Sequence, residues 1–164
     1  MPHTTLARSD RIPATSTHHP VPTDLRERFR AIVDAMAGGD LDALDCLVRF
    51  DIVVHNRVPA QGDGRPGLAF WAHGMRTAIP DLVATIEDTV VEDHTLAARV
   101  SFSGTHSGDH LGLAASDAFV EFEYFVIVRF TEGLAVEWWD ASNTVDALRN
   151  IGAHLNLPSG TATS

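Results

Sequence analysis

Between Ala97 and Gly152 the chain runs largely in strand-like segments, and these carry polar residues at positions that a closed core would fill with apolar ones. The segment from Ala98 to Gly108 alternates until it meets a turn. Val120 to Asp140 then gives two strands joined by a short Gly-containing loop, the second ending on Trp138, Trp139 and Asp140. A sheet of this pattern lines a pocket. A carboxylate that a strand end delivers beside indole rings is poorly solvated. Its pKa rises toward the working pH, which suits it to acid/base chemistry.

Helical periodicity precedes these strands. Asp24 and Glu27 form a capping-box-like start, after which Leu25, Phe29, Ile32, Val33 and Met36 repeat at helical spacing up to Gly38 and Gly39. A short second helix is expected over about 41 to 48 with Asp40 as N-cap, leading into a β-type run from Ile52 to His55. Leu68, Trp71, Ala72, Met75 and Ile79 mark a third helix, stopped by Pro80. Four strands follow, near 82 to 91, 95 to 105, 119 to 130 and 134 to 142, and a last helix starts at Asn143 or Thr144. Helices first and antiparallel-type strands later predict an α+β fold, with helices on one face of a curved sheet. The pattern G-x-G-x-x-G at Gly62, Gly64 and Gly67 reads as an ordinary loop rather than a dinucleotide site, given Pro66 and the long polar lead-in.

The 164 residues suit one domain, expected over 23 to 157, between a disordered arm at 1 to 22 and a flexible tail at 158 to 164. A net charge of −10 with no Lys/Arg cluster argues against nucleic acid or an anionic membrane as partner. The single Cys46 excludes an internal disulfide and reads as a small core residue. No apolar run approaches the roughly 18 residues of a spanning helix, and the N-terminus lacks the apolar block of a signal peptide, so the expected compartment is the cytoplasm.

Four segments carry a resemblance: VVHN at 53 to 56, AIPDL at 78 to 82, GTHSGDHLGL at 104 to 113 and VRFTEGLAVEWWDASNTVDALRNIG at 128 to 152. In them the chain resembles the SnoaL-like polyketide cyclases of the nuclear transport factor 2-like superfamily, over about Asp24 to Gly152. The resemblance implies a cone-shaped, curved mixed sheet with the N-terminal helices packed on its concave face. It also implies that Asp140, the Asp after the Trp, is the acid/base. The family's second polar residue, in the strand before the last hairpin, falls at Val126 here, and a further family Asp falls at Asn143.

Around Asp140 the sequence offers further candidates. Trp138 shares its strand face and supplies a flat apolar wall. His55 is the preferred second catalytic or substrate-orienting group, since neutral imidazole passes protons near pH 7; a turn-stabilising pair with Asn56 is the other reading. One of His55 and Asn56 should face the pocket and the other away from it. Arg99, if its strand borders the pocket, can pair with Asp140 and hold it ionised. That arrangement resembles limonene-epoxide-hydrolase-like members, although their R-x-D partner falls at Ser101 here. Trp71 and His73 lie on a helix that can roof the cavity, and Tyr124 is a possible proton donor that can point either way. His106, Asp109 and His110 have the composition of a metal site but lie in one loop, so no metal is expected and His106 is assigned to substrate binding.

These readings converge on a cofactor-independent enzyme that acts by acid/base chemistry on a hydrophobic, oxygenated natural-product intermediate such as a polyketide. Cyclisation or isomerisation leads. An epoxide-hydrolase-like or dehydratase-type member of the same fold and a non-catalytic binding or dimerisation module are the alternatives. A homodimer through the outer sheet face is expected, because in the strand near 119 to 130 residues such as Phe125 and Ile127 are apolar on the second parity too.

Overall fold

A computed structural model describes residues 24–58, 60–109, 114–144 and 146–147. The expected N-terminal arm, the C-terminal tail and most of the last helix lie outside the described residues.

Asp24 holds an extended backbone and its carboxylate accepts from the Arg26 N–H at 2.9 Å, so helix α1 (Leu25–Gly38) starts where its cap dictates. Gly39, at φ 82°, ends it. The second helix is shorter than expected: Leu41–Cys46 is a 3₁₀ turn, and Asp40 makes no side-chain cap bond. Strand β1 (Val48–Val54) therefore begins four residues before Ile52. Cys46 is exposed at the end of the 3₁₀ turn rather than buried, because a turn this short presents only Leu44 to the core.

Helix α2 (Gly64–Ala78) also starts earlier than Leu68. The stretch read as a loop supplies its first turn, where Pro66 is tolerated because the early N–H groups have no helical partner. Two of the glycines there answer to packing. Gly64 has φ +67°, and a Cβ on it would lie 2.5 Å from the Phe50 carbonyl oxygen; one on Gly67 would lie 2.0 Å from the Gly62 oxygen.

Strands β2 (Val83–Glu92), β3 (Thr95–Thr105), β4 (Phe119–Thr131) and β5 (Leu134–Ser142) follow within a residue of their expected limits. The five strands form one mixed sheet in the order β1-β5-β4-β3-β2, with β1 parallel to β5 and the other pairs antiparallel. One parity of each strand faces the helices: Leu96, Val100 and Phe102 of β3, and Phe122, Val126 and Val128 of β4, are all buried. They pack with Phe29, Ile32 and Val33 of α1 and with Leu68, Ala72 and Met75 of α2. The Arg76 guanidinium of α2 donates to the Ala37 carbonyl at the end of α1, tying the two helices together on this face.

Candidate functional site

Between the helices and the sheet an apolar cavity of about 40 Å³ stays open. Phe29, Val33 and Met36 wall it from α1, Leu68 and Trp71 from α2, and Val100, Phe102, Val126 and Trp138 from the sheet. Its polar groups are few: Asp140, Tyr124, Asn56 and Gln61. An apolar wall with a small number of placed polar groups is the ordinary constitution of a small-molecule site.

Asp140 comes to the cavity because β5 brings Trp138 and Asp140 to one face, two residues apart. Burial pushes its carboxyl up from the ordinary carboxylate value, and a hydrogen bond from the Trp138 side chain works in the other direction. Among the described residues no cation forms an ion pair with it. The backbone beside it is pinned, since the Asn56 amide donates to the Asp140 carbonyl. Directly across the ladder from Asp140 stands Val126, so the neighbouring rung gives it no polar contact.

Tyr124, the single tyrosine of the chain, sits one pleat from Val126 on the same face, opposite Ser142. Its ring lies edge-on to Trp71 at 5.4 Å, to Phe102 at 5.4 Å and to Phe122 at 6.0 Å, a cluster that fixes the ring plane. Burial raises its pKa, and hydrogen bonds with Thr144, Ser142 and Trp71 oppose the rise.

The structure brings Asp140, Asn56, Trp71, Tyr124 and Trp138 together and leaves four expected residues outside. His55 points to the outer face: its ring stacks on Trp139 at 4.3 Å, and its Nε2 lies 3.8 Å from Glu137 Oε1. It cannot reach the cavity, because Val54 takes the inward position and Asn56 returns to it. Arg99 also faces outward, since its neighbours Ala98 and Val100 are the buried parity of β3. It donates to Glu123 at 2.9 Å and to Asp88 at 3.1 Å and does not pair with Asp140.

His73 is exposed on α2, turned out of the core that its neighbour Ala72 enters, and does not line the cavity. His106 is buried but does not line the cavity. Its Nδ1 is 3.1 Å from Ser116 Oγ, and its carbonyl accepts from Ser116 and Asp117, so it holds both ends of a loop. The Asp109 carboxylate accepts from the Ala115 N–H, and His110 lies outside the described residues.

Three contributors had no sequence signal. Gln61 follows Ala60, a residue with φ 68°, in a loop without periodicity; its side-chain carbonyl accepts from the Val58 N–H while the residue lines the cavity. Ser142 and Thr144 partner Tyr124 from the end of β5 and the turn after it, where alternation stops.

The sequence matches the family of SnoaL-like polyketide cyclases over residues 26–151. Among solved structures, TsrD from Streptomyces laurentii is similar with a TM-score of 0.72 and 27% identity, covering 79% of this chain and 96% of that one. IdmH from Streptomyces antibioticus, described as a proposed polyketide cyclase, has a TM-score of 0.69 and 26% identity, covering 78% and 98%. AclR from Streptomyces galilaeus, described as a proposed hydroxylase, shares the fold with a TM-score of 0.67 and 24% identity, covering 78% and 95%. Among curated proteins no match is found. With its helices on one face of a five-stranded mixed curved sheet and a family match across nearly all the described residues, the chain belongs to the SnoaL-like polyketide cyclase family, with a nuclear transport factor 2-like fold.

Proposed function

We propose that this protein is a cofactor-independent enzyme of the cyclase or isomerase type, which moves a proton on a hydrophobic, oxygenated natural-product intermediate of the polyketide kind. The observation that carries the reading is Asp140, a carboxyl raised in pKa by burial at the polar end of an otherwise apolar cavity. An ionised Asp140 of raised pKa is a stronger base than a solvated carboxylate. Once protonated it is an acid of useful strength near neutral pH. In the forward step the carboxylate would take a proton from a carbon beside a carbonyl. The C–H pair would become the C=C bond of an enol and the carbonyl π pair would move onto oxygen. Ring closure or reprotonation at another carbon would follow, with Asp140 returning the proton.

Trp138 and Trp71 would hold a flat substrate against the sheet, and Asn56 would fix the Asp140 backbone at the mouth. At about 40 Å³ the cavity admits one edge of a polycyclic molecule, which places the reacting carbon and leaves the remainder in the mouth. The match to IdmH supports a cyclase over an epoxide hydrolase, as does Arg99, which is engaged on the opposite sheet face and leaves a hydrolase without its guanidinium. We also infer a homodimer through that outer face.

Deuterium uptake from D₂O at the α-carbon of 2-tetralone, followed by NMR, tests the proton transfer. The protein should speed uptake over buffer and Asp140→Asn should abolish the gain. Equal uptake by both would overturn the assignment and favour a non-catalytic binding module.

A further inference from the structure

Resting on the reading of Asp140 as the proton-moving group, we propose that Tyr124 donates its O–H to the substrate's carbonyl oxygen, so that the cavity is built for an enolisable ketone held between the two side chains. The register sets this geometry. Val126 faces Asp140 across β4 and β5, and Tyr124 faces Ser142, so Tyr124 is the diagonal neighbour of Asp140, with Cα atoms about 7–8 Å apart. Both side chains line the cavity. A carbonyl oxygen and its α-carbon can span two groups set one pleat apart, with the oxygen toward the hydroxyl and the C–H toward the carboxylate.

The surroundings of the phenol match that role. Its ring is clamped edge-on by Trp71, Phe102 and Phe122, so the hydroxyl cannot swing away. The Trp71 side chain, whose ring stands edge-on to Tyr124 at 5.4 Å and whose N–H can only donate, lowers the cost of negative charge on the phenol oxygen. Ser142 and Thr144 also hydrogen-bond it and are joined to each other at 3.0 Å. Burial keeps the phenol protonated, while these three partners favour negative charge on its oxygen as the substrate becomes enolate.

In the full step the α-carbon proton passes to Asp140, the C–H pair forms the C=C bond, and the carbonyl π pair moves to oxygen. Tyr124 holds that oxygen by hydrogen bond or yields its proton to it. On the return the same proton comes back, so nothing is oxidised or reduced. Directly opposite Asp140, where the resemblance would put a polar residue, stands Val126, and Tyr124 sets a polar group one rung along the same strand face.

Substituted phenols mimic the enolate oxygen on a ring and serve as the probe, and the single tyrosine makes the readout specific to one site. Protein labelled with ¹³C at the tyrosine Cζ should show its one tyrosine resonance shift saturably with phenol. Across a series of phenols of increasing acidity, affinity should rise. In Tyr124→Phe it should fall by about tenfold or more, as loss of one hydrogen bond to a charged oxygen requires, and its dependence on acidity should flatten. Failure of phenol to bind, a resonance unmoved by saturating phenol, or unchanged affinity in Tyr124→Phe would each overturn the proposal. The Asp140 reading is scored separately by deuterium uptake, because phenols carry no α-hydrogen to exchange. Lost uptake in Asp140→Asn with Tyr124→Phe binding phenol normally would sink Tyr124 alone.

Discussion

Burial of the Asp140 carboxyl favours its neutral form, so the feature that suits it to chemistry costs the fold something whenever it ionises. Its folded pKa lies above the ordinary 3.8, so the stabilising contribution is full below 3.8 and is lost as pH rises through the folded value. Asp140→Asn keeps the shape and removes the ionisation. Its melting temperature should match the native chain at acid pH and exceed it increasingly as pH rises, as calorimetry over a pH series will show. A difference independent of pH would mean that the carboxyl is well solvated. The same variant should lose about 10²–10⁴ in rate on any substrate whose proton it moves. With Asp140 as the base, the ascending limb of the rate profile should sit above the ordinary carboxylate range. Tyr124 is also raised by burial, so near-ultraviolet absorbance should show tyrosinate forming only above the ordinary value of 10.0. Asp140 and Trp138 were legible in the sequence because two residues along a strand share a face whatever the sheet does. His55 and Arg99 were not: alternation says that neighbours point apart, but not which of them meets the helices.

Strands β2 to β5 survived the passage from sequence to structure better than β1 or the start of α2, for physical reasons. β3, β4 and β5 are long, β-branched or aromatic, and punctuated by Asp93–His94 and Glu132–Gly133 turns, so period and breaker agree. The α2 start was hidden because its first turn reads Gly-Arg-Pro-Gly, and propensity assigns its two glycines and its proline to loops. That turn exists through close backbone approach. In Gly67→Ala the new Cβ would meet the Gly62 oxygen at 2.0 Å, so the N-terminus of α2 must shift, and Leu68 and Trp71 with it. A loss of about 1–3 kcal/mol in denaturant unfolding is expected. Gly38→Ala, at the end of α1 with nothing within 4 Å of the new methyl, should instead leave stability unchanged or raise it by about 0.4–1 kcal/mol. An equal effect at both positions would show that the close approach at Gly67 carries no cost. The G-x-G-x-x-G pattern thus has a structural explanation in two of its glycines, and the dinucleotide reading is not needed.

At the scale of the whole molecule the sheet has a second face, and its composition decides what covers it. Val90 is 67% exposed, Phe125 56% and Ile127 46%, and they border an open groove of about 490 Å³ on the side away from the helices. Monomeric proteins seldom leave such a strip to water. Charges of both signs surround it. Arg99 stands with Glu123 and Asp88, and Arg129 with Glu137, beside the stacked pair His55 and Trp139. Under the homodimer we propose, a second copy of this chain covers the strip, and the charges of both signs that border it let one surface meet itself across a twofold axis. Asn56, Val126 and Asp140 border this groove as well as the inner cavity, so a covering partner would also keep water from the back of the carboxyl. Sedimentation at micromolar concentration should give about twice 17.8 kDa. Ile127→Glu, which places a carboxylate in the middle of the strip, should return the protein to its monomer mass without unfolding it, since the residue is outside the core. Deuterium uptake by that monomer then reports how much of the desolvation at Asp140 comes from the partner: a slower rate with an ascending limb moved toward the ordinary carboxylate range is expected. A native mass near 17.8 kDa would exclude the dimer.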